Sequence, residues 1–135
     1  AALKTLEIYE RDNILEHSRE LADAAAARMA EWESRYEIVT QVRNLGLLMG
    51  VSFAVPHAPD EEFYIARSVR DEMLRRGVWA ICDNQPQVRM YPALNMDPGV
   101  LLAGLDIMEE AIKAVERKGN RVGNYPPMPS GNVGF

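Results

Sequence analysis

Mostly apolar positions recur at three- and four-residue spacing through Ile14, Ser18, Leu21, Ala25, Met29, Trp32 and Tyr36, which predicts one long amphipathic helix. Its opposite side carries Glu16, Arg19, Glu20, Asp23, Arg28 and Glu31, a pattern best met by water. Asp12 and Asn13 stand just ahead of it as candidate caps. Upstream, Leu3, Leu6 and Tyr9 or Glu10 mark successive turns of another helix that no capping residue precedes. The chain is therefore expected to begin inside a helix.

The period then changes. Residues 38–55, "IVTQVRNLGLLMGVSFAV", are rich in β-branched and large apolar types, with Asn44 and Gly46 marking the turn of a hairpin. Gly50, inside the second strand, fits either a bulge or a close approach of another group. Asp60 is a candidate cap for a helix whose Phe63, Ala66, Val69, Met73 and Leu74 face inward and whose left-handed stop is Gly77. "VWAIC" has the length of a strand, Asp83, Asn84 and Pro86 supply a turn, and "QVRMY" follows as its hairpin partner. Asp97 followed by Pro98 starts a final helix, in which Leu101, Leu105, Met108, Ile112 and Val115 repeat at 4, 3, 4, 3 while Glu109 and Lys113 occupy the exposed side. That helix is expected to stop near Gly119. The pattern as a whole predicts an α+β fold with a small, mostly antiparallel sheet of about four strands covered by helices. One domain spans residues 1–119, and residues 120–135 form an irregular Pro/Gly-rich tail that Tyr125, Val133 and Phe135 are able to pin down. No internal repeat is visible.

Composition narrows the chemistry. At 135 residues and 47% hydrophobic content the chain builds one sizeable core. With 15 Lys+Arg against 20 Asp+Glu the net charge is −5, and no basic cluster suits a phosphate backbone, so nucleic acid is not an expected partner. Cys82 is the one cysteine, and His17 and His57 lie far apart, which leaves no disulfide framework and no metal site. No apolar run is long enough to cross a bilayer and no leader opens the chain; a cytoplasmic protein without a membrane partner is the expectation.

Candidate chemistry concentrates at Arg89. Alternation in "QVRMY" sends Val88 and Met90 to one side and Gln87, Arg89 and Tyr91 to the other, so Arg89 points away from the core. From the residues alone, it reads as a solvated arginine on the open face of a sheet. "VRNLGLLMGVSF", a helix ending "LRRGVW" and then "VRMYPALNMDPGVLLAGLDIMEEAI" together resemble the C-terminal small domain of class III aminotransferases, over roughly residues 1–117. The family's frequent second proline after the arginine is absent, since Ala93 follows Pro92.

The resemblance implies a pyridoxal 5'-phosphate enzyme that moves an amino group from an amine or amino acid to a keto acid such as pyruvate, working as a homodimer or larger assembly. It implies that Arg89 holds a substrate carboxylate at the active-site mouth, a role that requires a guanidinium not locked into an internal ion pair. It also implies that the Schiff-base lysine, the acid facing the pyridine nitrogen and the phosphate donors belong to a missing N-terminal large domain. Lys4, Lys113 and Lys118 read as surface residues, so no catalytic, cofactor-binding or metal-binding residue is assigned here. Alone, the chain is expected to be an inactive fragment that does not hold the cofactor, exposes Leu3 and Leu6, and self-associates. Other candidates have structural readings: His17 at the surface, His57 in a loop, Arg43 and Asn44 ordering the glycine turn, Trp32 and Trp79 in the core, Cys82 as an inert buried thiol. The competing class is a self-contained α+β module that binds a small ligand or a second copy.

Overall fold

The computed structural model describes residues 2–54, 62–83 and 85–118, the side chains of 62 and 63 excepted. Helix α1 (Ala2–Arg11) turns at Asp12 and Asn13 into α2 (Ile14–Met29), which is followed by the single turn α3 (Trp32–Arg35). Strands β1 (Val39–Leu45) and β2 (Leu48–Phe53) form a hairpin, and α4 (Glu62–Arg75), β3 (Gln87–Met90) and α5 (Pro98–Arg117) complete the order. Gly46 opens the two-residue turn with φ +58°, which a Cβ would oppose and a type II′ hairpin requires.

The three strands lie in the order β1-β2-β3, all antiparallel. Alternation buries Met49, Val51, Phe53 and Val88 on one side. There they meet Leu21 and Ala25 of α2, Ile65, Val69 and Met73 of α4, and Leu105, Met108 and Ile112 of α5 in one continuous core. The α+β class and the helical cover are as expected. Capping explains the firmest boundary: the Asp97 carboxylate accepts from the Val100 N–H at 3.1 Å, with Pro98 in the first turn.

Several expectations are corrected. The sheet has three strands rather than four, because residues 78–82 contribute only one reciprocal pair of bonds, Ile81 N to Arg89 O (2.9 Å) and Arg89 N to Ile81 O (2.8 Å). The start of that segment is spent closing α4: Gly77 adopts φ +90°, its N–H donates to Leu74 O, and the Val78 N–H donates to Met73 O. Ala80 is buried, and its neighbour Trp79 consequently points outward and is 72% exposed. The predicted 14–36 helix breaks at Ala30 and Glu31, and the break turns Arg35 and Tyr36 toward Glu109, which Arg28 reaches from α2. Glu109 is thus buried rather than exposed.

At the start of α2, Asn13 sits in the left-handed region without a side-chain cap bond, while Asp12 pairs with Arg11 at 2.6 Å. Leu74 faces out, displaced from the buried stripe by Met73. Gly50 is not at a bulge: it pairs regularly with Arg43 and Arg89, and the register shift lies instead between Val39 and Gln41. The Asp60 cap, the Phe63 side chain, His57, Asn84 and the tail fall outside the described residues.

Candidate functional site

Strand β3 presents Arg89 on the side of the sheet away from the helices, with Val88 buried beneath it. Across the ladder stands Gly50, and a Cβ built there would lie 3.8 Å from Arg89 Cγ. The arginine stem therefore rests against a backbone with no side chain in the way. Its Nη2 donates to the Asp83 carboxylate, six residues earlier at the end of the bridging segment. Asp83 keeps 52% of its side chain exposed and Arg89 keeps 30%, so this is a surface pair and not an internal one. The Nε of Arg89 is buried without a hydrogen-bond partner among the described residues. A buried, unpaired guanidinium N–H is costly unless something accepts from it.

Beside Arg89 opens a groove of about 350 Å³, the size of a small-molecule site. It is lined by the 77–81 segment, by Val100 and Gly104 of α5, and by Tyr91 and Met96, here termed its end wall. The lining is apolar and lies on the helical side of the sheet, with Met49, Leu101 and Leu105 in it; Arg89 is the one charged residue bordering it among the described residues, and its side chain leaves on the opposite side of the sheet. His17 holds the end wall: its Nε2 lies 2.9 Å from Met96 O, and because a carbonyl only accepts, that nitrogen carries the proton. His17 is half-buried through this bond rather than free at the surface. Cys82, half-buried beside the groove segment, has its thiol pKa pushed up by burial, which keeps it protonated and unreactive near neutrality. Arg43 and Asn44 are exposed, with no bond that orders the glycine turn among the described residues.

Each of the three lysines is held in an ion pair. Lys4 pairs with Glu7 at 2.7 Å, Lys113 with Glu110 at 2.8 Å and Lys118 with Glu72 at 2.6 Å. Imine formation needs a neutral amine in a dry pocket, whereas the bond to Glu110 raises the Lys113 pKa.

The family profile described as Aminotransferase class-III matches residues 1–112. This chain belongs to that family. Among curated class-III relatives, the mitochondrial acetylornithine aminotransferase of Yarrowia lipolytica is 32% identical over 102 residues, which is 76% of this chain and 22% of that protein. The leucine/methionine racemase of Thermococcus litoralis is 30% identical over 125 residues, 92% of this chain and 28% of that protein. The chain spans about a quarter of the length of the curated relatives it matches. Among solved structures, a transaminase with L-Ala superposes with a TM-score of 0.80 at 19% identity, covering 89% of this chain and 28% of that one. An acetylornithine aminotransferase from Elizabethkingia anophelis gives 0.73 at 18% identity over 84% of this chain and 27% of that one. At such identities the likeness establishes the small-domain fold.

Reading the sequence singled out Arg89 but missed Asp83 as its partner and His17 as the clamp on the end wall. The Asp83 contact spans six residues and depends on where Ile81 docks beside Arg89. The His17 contact spans 79 residues and leaves no local trace.

Proposed function

We propose that this chain is the C-terminal part of a pyridoxal-phosphate-dependent class-III aminotransferase that transfers an amino group between an amine or amino acid and a keto acid such as pyruvate, with Arg89 receiving the substrate carboxylate. The observation that carries the reading is the Arg89 Nε, buried and unpaired on the open side of the sheet. A planar guanidinium offers parallel donors to a carboxylate and stays charged at every working pH. Arg89 has one such donor on Asp83 and one without a partner, and an incoming carboxylate satisfies the second and displaces Asp83 from the first. The cofactor supplies the electron sink for chemistry at the amino-bearing carbon. On this reading its lysine and phosphate donors lie in the part of the protein outside these residues, and the active unit is a homodimer in the cytoplasm.

The match to class-III enzymes favours this reading over a self-contained module. A second reading, racemisation of an amino acid, is favoured by the leucine/methionine racemase relative, which covers more of the chain than the aminotransferase. Arg89 serves the same purpose in both.

The test uses the full-length enzyme with Arg89→Ala and Arg89→Lys. Losing a hydrogen bond to a charged group costs about 1.5–3 kcal/mol, so KM for amino and keto acids is expected to rise roughly tenfold to a hundredfold in the alanine variant. Simple amines are expected to be unaffected. Unchanged acid kinetics remove Arg89 from the site, and chiral chromatography of the products separates transamination from racemisation.

A further inference from the structure

Beyond the end of α5, and outside the described residues, the sequence carries Tyr125, Pro126, Pro127, Met128 and Pro129 in a row. Proline fixes its own φ and turns the residue before it away from the helical region, so this composition favours an extended, polyproline-II-like stretch. Such a stretch repeats every three residues, which sets Pro126 and Pro129 on one edge and Tyr125 and Met128 on the next. Proline-rich segments with that spacing fit apolar, aromatic-bordered grooves, and being stiff beforehand they lose little entropy on docking. The matched family profile stops at residue 112, so the stretch lies outside the part that defines the family.

The groove of about 350 Å³ on the helical side of the sheet suits such an occupant. Val100 and Gly104 of α5, Met96 before that helix and Val78 after α4 line it, with Trp79 and Tyr91 at its border. Val100, Trp79 and Tyr91 are exposed, so the groove is open to a segment arriving from solvent. Gly104 lies inside α5, where glycine weakens a helix, and a Cβ built on it meets nothing within 4 Å. Its missing side chain leaves a floor on which another backbone can lie close to the helix. Residues 125–129 carry no charge and the groove lining is apolar, so contact between them strips water from no ion.

Reach selects the occupant. At the helical rise, Gly104 and Val100 lie roughly 21 and 27 Å back along α5 from Lys118. Tyr125 follows Lys118 by seven residues and Pro129 by eleven, so an extended chain carries them at most about 25 and 40 Å from it. The proline stretch is thus the first part of the tail able to turn back along α5 as far as the groove. A tether of that length holds it at a local concentration in the millimolar range, at which even a weak fit fills the site. We propose that residues 125–129 occupy this groove in the same molecule, with the edge formed by Pro126 and Pro129 against Gly104 and Val100. The docked stretch braces residues 91–96, which lead from Arg89 into α5. This goes beyond the proposed chemistry and stands or falls without it.

Photo-crosslinking of the full-length protein tests it, with p-benzoylphenylalanine in place of Val100 and the products mapped by mass spectrometry on a mixture of isotopically light and heavy protein. Crosslinks are expected to stay within one chain and to land on residues 125–129. Pro126→Gly, Pro127→Gly and Pro129→Gly combined keep Tyr125 and Met128 but remove the stiffness, and are expected to cut the yield by roughly fivefold or more. Gly104→Leu, which fills the floor from the helix, is expected to do the same without touching the tail. Absence of crosslinks to residues 125–129 overturns the proposal. So do crosslinks joining light to heavy chains, which give the groove to a second copy, and crosslinks to other parts of the full-length polypeptide, which give it to them. An unchanged yield in the proline variant overturns it as well, as does an equal yield from the same probe in place of Glu110, which is exposed and nearer the tether and therefore reports random collision. Transaminase and racemase activities are measured separately, and no outcome of the crosslinking depends on them.

Discussion

Arg89 and Asp83 form a surface pair that, on the proposed function, a substrate carboxylate would replace. Exposed ion pairs contribute roughly 0–1 kcal/mol, so Asp83 holds the guanidinium in place without competing strongly for it. In the full-length enzyme Asp83→Asn is expected to lower KM for acidic substrates by up to about fivefold, with KM for simple amines unchanged; a rise in acid KM would show that Asp83 orients the arginine and does not merely occupy it. Neither the pairing nor the unsatisfied Nε was legible in the sequence. Alternation gave the direction of Arg89, and the rest depended on where Ile81 docks. The same holds for Glu109, which its place opposite the apolar stripe marked as exposed. Three partners from α2 and the residues after it, Arg28 at 2.5 Å, Arg35 at 3.0 Å and Tyr36 at 2.5 Å, converge on it and make its burial affordable.

At the scale of elements, hydrophobic period located the helices and the first hairpin, because each has a side that must be buried. It failed where a backbone feature outranked the pattern. The 78–82 segment looked like a strand, but its first amide serves the end of α4. The helix after Asn13 looked continuous, but the chain bends so that Arg35 and Tyr36 reach Glu109. Gly50 carried a signal that was real but ambiguous, and the regular register now decides it in favour of close approach by the Arg89 stem. Gly50→Ala is expected to be accepted, since 3.8 Å is an ordinary contact, and to hold or raise stability by about 0.5–1 kcal/mol. Gly50→Val places two further methyl groups against Arg89 Cγ, and its KM for acids is expected to rise toward that of Arg89→Ala. Steady-state kinetics with an acid and an amine distinguish the two variants.

For the whole molecule, two buried carboxylates tie the last helix to the others. Burial alone pushes Glu109 up, but the Tyr36 hydroxyl and the Arg28 and Arg35 guanidiniums outweigh it and bring the pKa to about 2. Lys118 and Arg76 lower Glu72 to about 2 as well, linking the end of α5 to α4. Both carboxyls are depressed below the usual 4.5, so the stability they contribute is complete above that value and is lost as pH falls from about 4.5 to about 2. Urea midpoints measured across that interval are expected to drop steeply. Glu109→Gln is expected to lower stability by about 3–5 kcal/mol at neutral pH and to flatten the acid slope; an unchanged slope would place the titration elsewhere. Sequence patterning showed that α5 was a core helix, but not that charge fastens it at its middle, through Glu109, and at its C-terminal end, through Lys118.

Strand β1 forms a rim of the sheet, where unpaired backbone groups invite further strands. In this chain the Val42 N–H on that rim donates to the Glu33 carboxylate at 2.5 Å, and the strand is offset by one residue near its start. A stray extended peptide arriving there finds its central donor taken and its spacing wrong. Crowded or partly assembled molecules are thereby steered away from endless ladder growth, the route that ends in fibrils.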